Sequence, residues 1–517
     1  MGQSNDKFAI PFYKDIIYNS NKHSKLSKPK QQIQLSITLS QTDTAEYQYT
    51  SYELTETKKQ NLLTTSEQST SINNNTCTFK ALTTLIYHFE EEQPLLFKIT
   101  KTTVDNATIE MEFRTNLSNI ISSRKNKLTQ RITSSHNETI TIQATETKST
   151  QQYLYFIFDV YANFQLSKQK YKFNYNILNN KGESLYQSET VSSQGTLAPV
   201  SIPIDCLDNK FSIQFIDTKN KQLGSFDTTK DEFLNKEGLF KTIMFPFNKK
   251  HSILLHNQSL IQQKYSFIDY IHSGIKISLS IAIDFTLSNG VPSNANSLHY
   301  INDDNNTLNS YQKAITACGN ILSVYDKEQQ FPVYGFGACI NNAKQPSMCF
   351  AINNINNSPE IHTIQQVLEH YKQIVKSVNF GKKTAEFGSV LKEVIKNVEN
   401  EINKLKYTVL LILTNSVMSD LAECVDLLVK GGKLPMSVII VGIGNGDFGK
   451  MEGLGVDENL LVSIQGERCC RDIVQFVKFS KFDYDECKLG KNVLKKIPRQ
   501  VFEYFSRNNI YPCDIIG

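Results

Sequence analysis

A chain of 517 residues is too long to organise around one hydrophobic core, so roughly three domains are expected. With 40% hydrophobic and 21% charged residues the composition is globular, which excludes wholesale disorder. The 55 basic and 51 acidic side chains leave a formal charge of +4, too even a balance for a general nucleic-acid binder.

Residues 1–27 read as a tail. They lack the apolar core flanked by positive charge that marks a signal peptide, and Asp6 stands where N-myristoylation wants Ser or Thr. From 31 to about 245 the chain is rich in Thr, Ser, Tyr, Phe and Ile in short alternating runs, the texture of antiparallel strands. Ile33, Leu35, Ile37 and Leu39 alternate with polar residues, and Tyr171, Phe173 and Tyr175 alternate with Lys168, Lys170 and Lys172. A polar stretch at 131–138 (RITSSHNE) interrupts the pattern and leaves about a hundred residues on each side, the size of a β-sandwich. Two tandem antiparallel β-sandwiches are therefore expected, over 28–133 and 138–248. After 262 the texture changes. The runs 275–283 (IKISLSIAI), 407–414 (YTVLLILT) and 437–442 (SVIIVG) are mostly apolar, as in strands buried on both faces. Between them 307–326, 361–378 and 387–404 repeat apolar residues every three or four positions. Strand and helix in alternation predict a doubly wound, Rossmann-like α/β domain over 262–506, followed by a tail at 507–517. The Asn-rich pieces at 71–75, 303–306 and 353–357 read as loops.

The ten cysteines show no CxxC or Cys/His zinc spacing, and no run of about 18 apolar residues is available to span a bilayer. Both point to free thiols in a cytoplasmic protein. There is no GxSxG elbow, HExxH pair or Walker loop, so the chain is not expected to be an enzyme. Residues 444–449 (GNGDFG) match GxGxxG but follow a late strand, which favours a turn over a dinucleotide site. His299 is isolated and reads as structural.

In an open parallel sheet, ligands collect at the carboxyl ends of the strands. The first apolar run ends in Asp284-Phe285-Thr286-Leu287-Ser288, where a carboxylate and two hydroxyls offer hard oxygens to Mg²⁺ or Mn²⁺. This spacing resembles the metal-ion-dependent adhesion motif of A domains. The segments YSFIDYIHSGIKISLSIAIDFTLSNG (265–290), SLHYIN, YGFGA, KLPMSVIIVGIGNGDF, RDIVQFV and IPRQVFEYF resemble the copine A-domain signature, in copine order, from 265 to 505. YHFEEEQPLLF (87–97) and residues 119–128 resemble parts of the first copine C2 domain. The chain thus resembles the copine family, in which two C2 domains precede a von Willebrand factor A-like domain. The resemblance implies signalling through calcium-dependent phospholipid binding, peripheral association with the plasma membrane or other cytosol-facing membranes, and recruitment of protein partners by the A domain.

Several positions depart from the family pattern. The implied metal site comprises Asp284, Thr286, Ser288, a threonine on a second loop and an aspartate on a third. Thr384 precedes Phe387 by three residues where copines use two, so strict alignment puts Ala385 at the ligand position and Thr384 serves as the second-loop ligand only with a local shift. Where copines read Thr-Asp-Gly-Val-x-Ser-Asp, this chain reads Thr414-Asn415-Ser416-Val417-Met418-Ser419-Asp420, and Asn415 removes a negative charge. A weak metal site and a purely structural loop both remain open. For Ca²⁺, Asp217 is a remnant whose partner position holds Lys219, 100–103 (TKTT) stands where Asp-x-Asp is expected, and neither 27–30 (SKPK) nor 163–165 (NFQ) carries a carboxylate. These residues do not support the calcium dependence that the resemblance implies. Lys168, Lys170 and Lys172 project from one strand face and offer either a stripe for anionic phospholipid, at about 1 kcal/mol each, or a solubilising face. The rival reading is a cytoplasmic protein–protein scaffold without lipid binding. Only Cys487 and Cys513 follow the last strands, so the RING ubiquitin-ligase activity of one copine branch is not expected.

Overall fold

The computed structural model describes residues 31–515, except 43–44, 56–58, 71–74, 133–136, 148–151, 165–171, 189, 193, 197–199, 205–206, 208, 235–238, 246–247, 264, 303–306, 341–342, 354–357, 382–383, 456–460, 483–484 and 513–514.

The first sandwich consists of two antiparallel sheets. One runs Thr76–Thr78, Gln32–Ser40, Thr139–Thr147, Lys127–Arg131; the other runs Gln60–Thr65, Glu46–Leu54, Pro94–Thr102, Thr108–Asn116. Alternation decides which face turns inward: Ile33, Leu35, Ile37 and Leu39 are buried in one sheet, and Tyr47, Tyr49, Phe97 and Ile99 in the other. The domain boundary expected between 133 and 138 is corrected here. Thr139–Thr147 pairs with Gln32–Ser40 along its whole length, from Gln32 opposite Thr147 to Ser40 opposite Thr139, so it closes the first sandwich rather than opening the second. The polar stretch that suggested the boundary falls between two paired strands of this sandwich, Lys127–Arg131 and Thr139–Thr147.

The second sandwich is built the same way. Gln152–Phe164 pairs with Asn248–Gln263 in one sheet, and Lys172–Leu178 with Lys210–Asp217 in the other. Phe156, Phe158, Phe173, Tyr175, Phe215 and Phe233 fill its core. Its last strand reaches Gln263, past the expected limit at 248. This sandwich is one compact unit; the first sandwich and the α/β domain together make another.

In the α/β domain the parallel strands lie in the order Gln330–Phe336, Lys276–Asp284, Lys406–Thr414, Met436–Gly442, Val474–Lys478, with Phe350–Ala351 and Glu360–His362 antiparallel on the outer edge. Helices Gly388–Asn400, Leu421–Gly431 and Gly449–Leu454 cover one face, packing on Ala282, Leu410, Ile412, Val438 and Ile440. Residues of the opposite face, Ile281, Ile283, Leu411, Ile439 and Val441, are equally buried, which explains the near-continuous apolar runs. Chain order reverses between Lys276–Asp284 and Lys406–Thr414, so the switch point of the sheet lies beyond the carboxyl ends of those two strands.

Candidate functional site

The switch point is formed by Asp284, the last residue of its strand, and by Thr414, the last residue of the neighbouring one. The register that places Ile283 opposite Leu413 brings the two loops together. Asp284 is fully buried, and its Oδ1 accepts from the Thr286 amide at 2.8 Å, which folds the turn back on itself. A short 3-10 turn, Leu287–Asn289, follows and ends at Gly290 with φ +84°, a conformation that favours glycine. Asn289 Nδ2 donates to the carbonyls of Asp284 and Thr286 at 3.2 and 3.1 Å, and Tyr311 donates to Asn289 Oδ1 at 2.7 Å.

His299 supports this turn from below. Burial pushes its imidazole down to about 3, so the ring is neutral. Nε2 lies 2.7 Å from the Asp284 carbonyl, to which it donates, and Nδ1 accepts from the Tyr371 hydroxyl at 2.8 Å. The ring stacks between Phe285 and Tyr311, with centroids at 5.2 and 4.2 Å.

The loop after Thr414 closes on the same carboxylate. Asp284 Oδ2 accepts from Thr414 Oγ1 at 2.6 Å, from Ser416 Oγ at 2.8 Å and from the Asn415 amide at 3.3 Å. Ser416 Oγ also lies 2.5 Å from Ser288 Oγ and within hydrogen-bond contact of Thr286 Oγ1, and the Thr286 and Ser288 hydroxyls are 2.8 Å apart. Asn415 Nδ2 donates to the Ser288 carbonyl at 3.1 Å; its Oδ1 is buried without a hydrogen-bond partner and faces the glycine turn. That turn explains the GxGxxG match. Gly444 has φ +73°, and a Cβ at Gly446 would come within 2.1 Å of the Asn415 carbonyl oxygen, so the glycines allow a close approach of two loops.

Asp284, Thr286, Ser288 and Asn415 are thus brought together. Thr384 is half-buried beside a parallel bridge between Ala385 and Met418, in which Ala385 N donates to Val417 O and Ser419 N to Ala385 O, both at 3.0 Å. Among the described residues no hydrogen bond joins Thr384 to the other four. Sequence reasoning missed Thr414 and Ser416. The signal for Ser416 was present: it stands where the family pattern has glycine.

A six-coordinate Mg²⁺ needs oxygens at about 2.0–2.1 Å around an open centre. Here the oxygens of Asp284, Thr286 and Ser288 surround the Ser416 hydroxyl instead, and Asp284 supplies the one carboxylate of the set. The residues as arranged do not fit a divalent cation.

In the second sandwich, Asp217 Oδ1 accepts from the amides of Lys219 and Lys221, each at 2.8 Å, so the carboxylate holds its own hairpin turn. Lys172 is exposed at the start of its strand, while Lys168 and Lys170 lie outside the described residues. In the first sandwich, Lys101 makes a 2.8 Å ion pair with Glu138, both largely buried, and stands over the Tyr47 ring. His88, Glu90 and Glu91 bring potential metal-ligand atoms within 4.8 Å of one another, although Glu91 is already paired with Lys491.

A sequence model described as Copine matches residues 297–513. Copine-D of Dictyostelium discoideum is 32% identical over 470 residues, covering 84% of this chain and 87% of that protein. Copine-E of the same organism is 32% identical over 482 residues, with 85% and 79% covered. Protein BONZAI 1 of Arabidopsis thaliana is 38% identical over 251 residues, which is 48% of this chain and 43% of that one.

Proposed function

Because the chain belongs to the copine family, we propose that it binds phospholipid peripherally at cytosol-facing membranes, largely without calcium, and recruits protein partners through its α/β domain. The observation that carries the calcium-independent part is the double hydrogen bond from the Lys219 and Lys221 amides to Asp217, which engages the remnant acidic ligand in turn formation. A calcium site needs six to eight oxygens, several of them charged. In the first sandwich, Lys101, near the end of strand Pro94–Thr102 where a calcium ligand is expected, pairs with Glu138 and engages that carboxylate. Exposed Leu287 and Val417, on the two loops of the switch point, support partner recruitment at that edge. The burial of His299, with both ring nitrogens engaged, supports a non-enzymatic role.

Cosedimentation of the full chain with phosphatidylserine liposomes tests the lipid part. Equal pelleting in calcium and in chelator, weakened by added salt, is expected. Pelleting only with calcium overturns the calcium-independent reading, and no pelleting under any condition favours the scaffold.

A further inference from the structure

We propose that the Ser416 hydroxyl stands in for a divalent cation, making the switch-point loops of the α/β domain a metal-independent assembly. Ser416 Oγ is the common neighbour of Asp284 Oδ2, Thr286 Oγ1 and Ser288 Oγ, the three oxygens an ion at this position would have to gather. It lies within hydrogen-bond distance of all three, so one protein oxygen bridges the groups that an ion would otherwise bridge.

Thr414 and Ser416 donate to Asp284 Oδ2, and the Thr286 and Ser288 hydroxyls each donate to Ser416 Oγ, whose two lone pairs accept them, so the Thr286–Ser288 contact carries no proton of its own. With the amides of Thr286 and Asn415 added, the carboxylate accepts four donors, so its charge is met by dipoles rather than by a cation. Asn415 fits the same scheme. The Ser288 carbonyl can only accept, so the amide turns its NH₂ toward that carbonyl and its oxygen toward the glycine turn, away from the hydroxyl ring. Two substitutions therefore act together: Asn415 withdraws charge and an oxygen ligand, and Ser416 fills the centre.

The test uses the full chain, stripped with EDTA and titrated with MnCl₂, with free Mn²⁺ counted by electron paramagnetic resonance and melting followed in parallel. The wild type is expected to melt at the same temperature in EDTA and in Mn²⁺ and to lose no Mn²⁺ uptake on Asp284→Asn. The double variant Asn415→Asp/Ser416→Gly is expected to take up one Mn²⁺ per chain beyond the wild-type uptake, and to lose it again on Asp284→Asn. Ser416→Ala is expected to lower the melting temperature by about 3 °C in EDTA and Mn²⁺ alike, because it leaves the ring open. Wild-type Mn²⁺ uptake that disappears with Asp284→Asn overturns the proposal. So does a folded double variant that takes up no more Mn²⁺ than the wild type, or a Ser416→Ala variant that melts unchanged.

Discussion

His299 donates from Nε2 to the Asp284 carbonyl and accepts from Tyr371 at Nδ1, so one neutral ring fixes both the strand end and the helix Ile364–Ser377 that carries Tyr371. Replacing it with alanine removes two hydrogen bonds and opens a cavity between Phe285 and Tyr311. His299→Ala is expected to cost about 3 kcal/mol in urea unfolding, an effect characteristic of a buried aromatic. At this scale the sequence was informative about chemical type and poor about arrangement. Asp284, Thr286 and Ser288 announced an oxygen cluster, and Asn415 announced a missing charge. The role of Ser416 depends on strand register, because its hydroxyl reaches Asp284 only when Thr414 ends beside it, and no local pattern encodes that neighbour.

Helix Ile497–Arg507 shows how burial at one element creates a dependence on pH. Burial pushes the Glu503 carboxyl up to about 7, partly offset by Arg499, whose Nε lies 3.0 Å from Oε1, and by Arg471. The folded state therefore holds this proton more tightly than the unfolded chain does. The stabilising contribution is complete below about pH 4.5 and is lost as pH rises through 7. Glu503→Gln is expected to leave stability at pH 4.5 nearly unchanged and to raise it at pH 8, by up to about 3 kcal/mol, as read from denaturation at the two values. Strand existence was legible element by element. The alternation of Ile33 to Leu39 was enough to assign a half-buried strand, and Ile140, Ile142 and Ala144 show the same alternation in Thr139–Thr147. Alternation carries no information about the partner strand, which is why Thr139–Thr147 was placed in the wrong sandwich.

Across the molecule, the first sandwich and the α/β domain are joined by more than chain connectivity. Phe89 packs against Phe267 and Tyr325 with ring centroids 4.8 and 5.0 Å away, Tyr87 hydrogen-bonds Tyr325, and Lys491 pairs with Glu91. Ser266 Oγ donates to Glu146 Oε2 at 2.5 Å, so the chain leaves this unit after Thr147 and re-enters it at Ser266, close to where it left. The second sandwich is therefore an insertion between adjacent points. Replacing 148–265 with a Gly/Ser linker of about six residues, which spans such a gap easily, is expected to leave a cooperatively folding unit with the melting temperature of the corresponding transition in the full chain. A shortened chain that fails to give one cooperative transition argues against independent folding. Sequence texture told β from α/β segments yet could not reveal this nesting, since it rests on pairing between residues about a hundred or more positions apart.

The same closeness of Glu146 and Ser266 decides how the molecule bears tension. A pull applied at residues 31 and 515 passes from the first sandwich into the α/β domain through their aromatic contacts, bypassing the inserted sandwich, which stays slack until that junction tears.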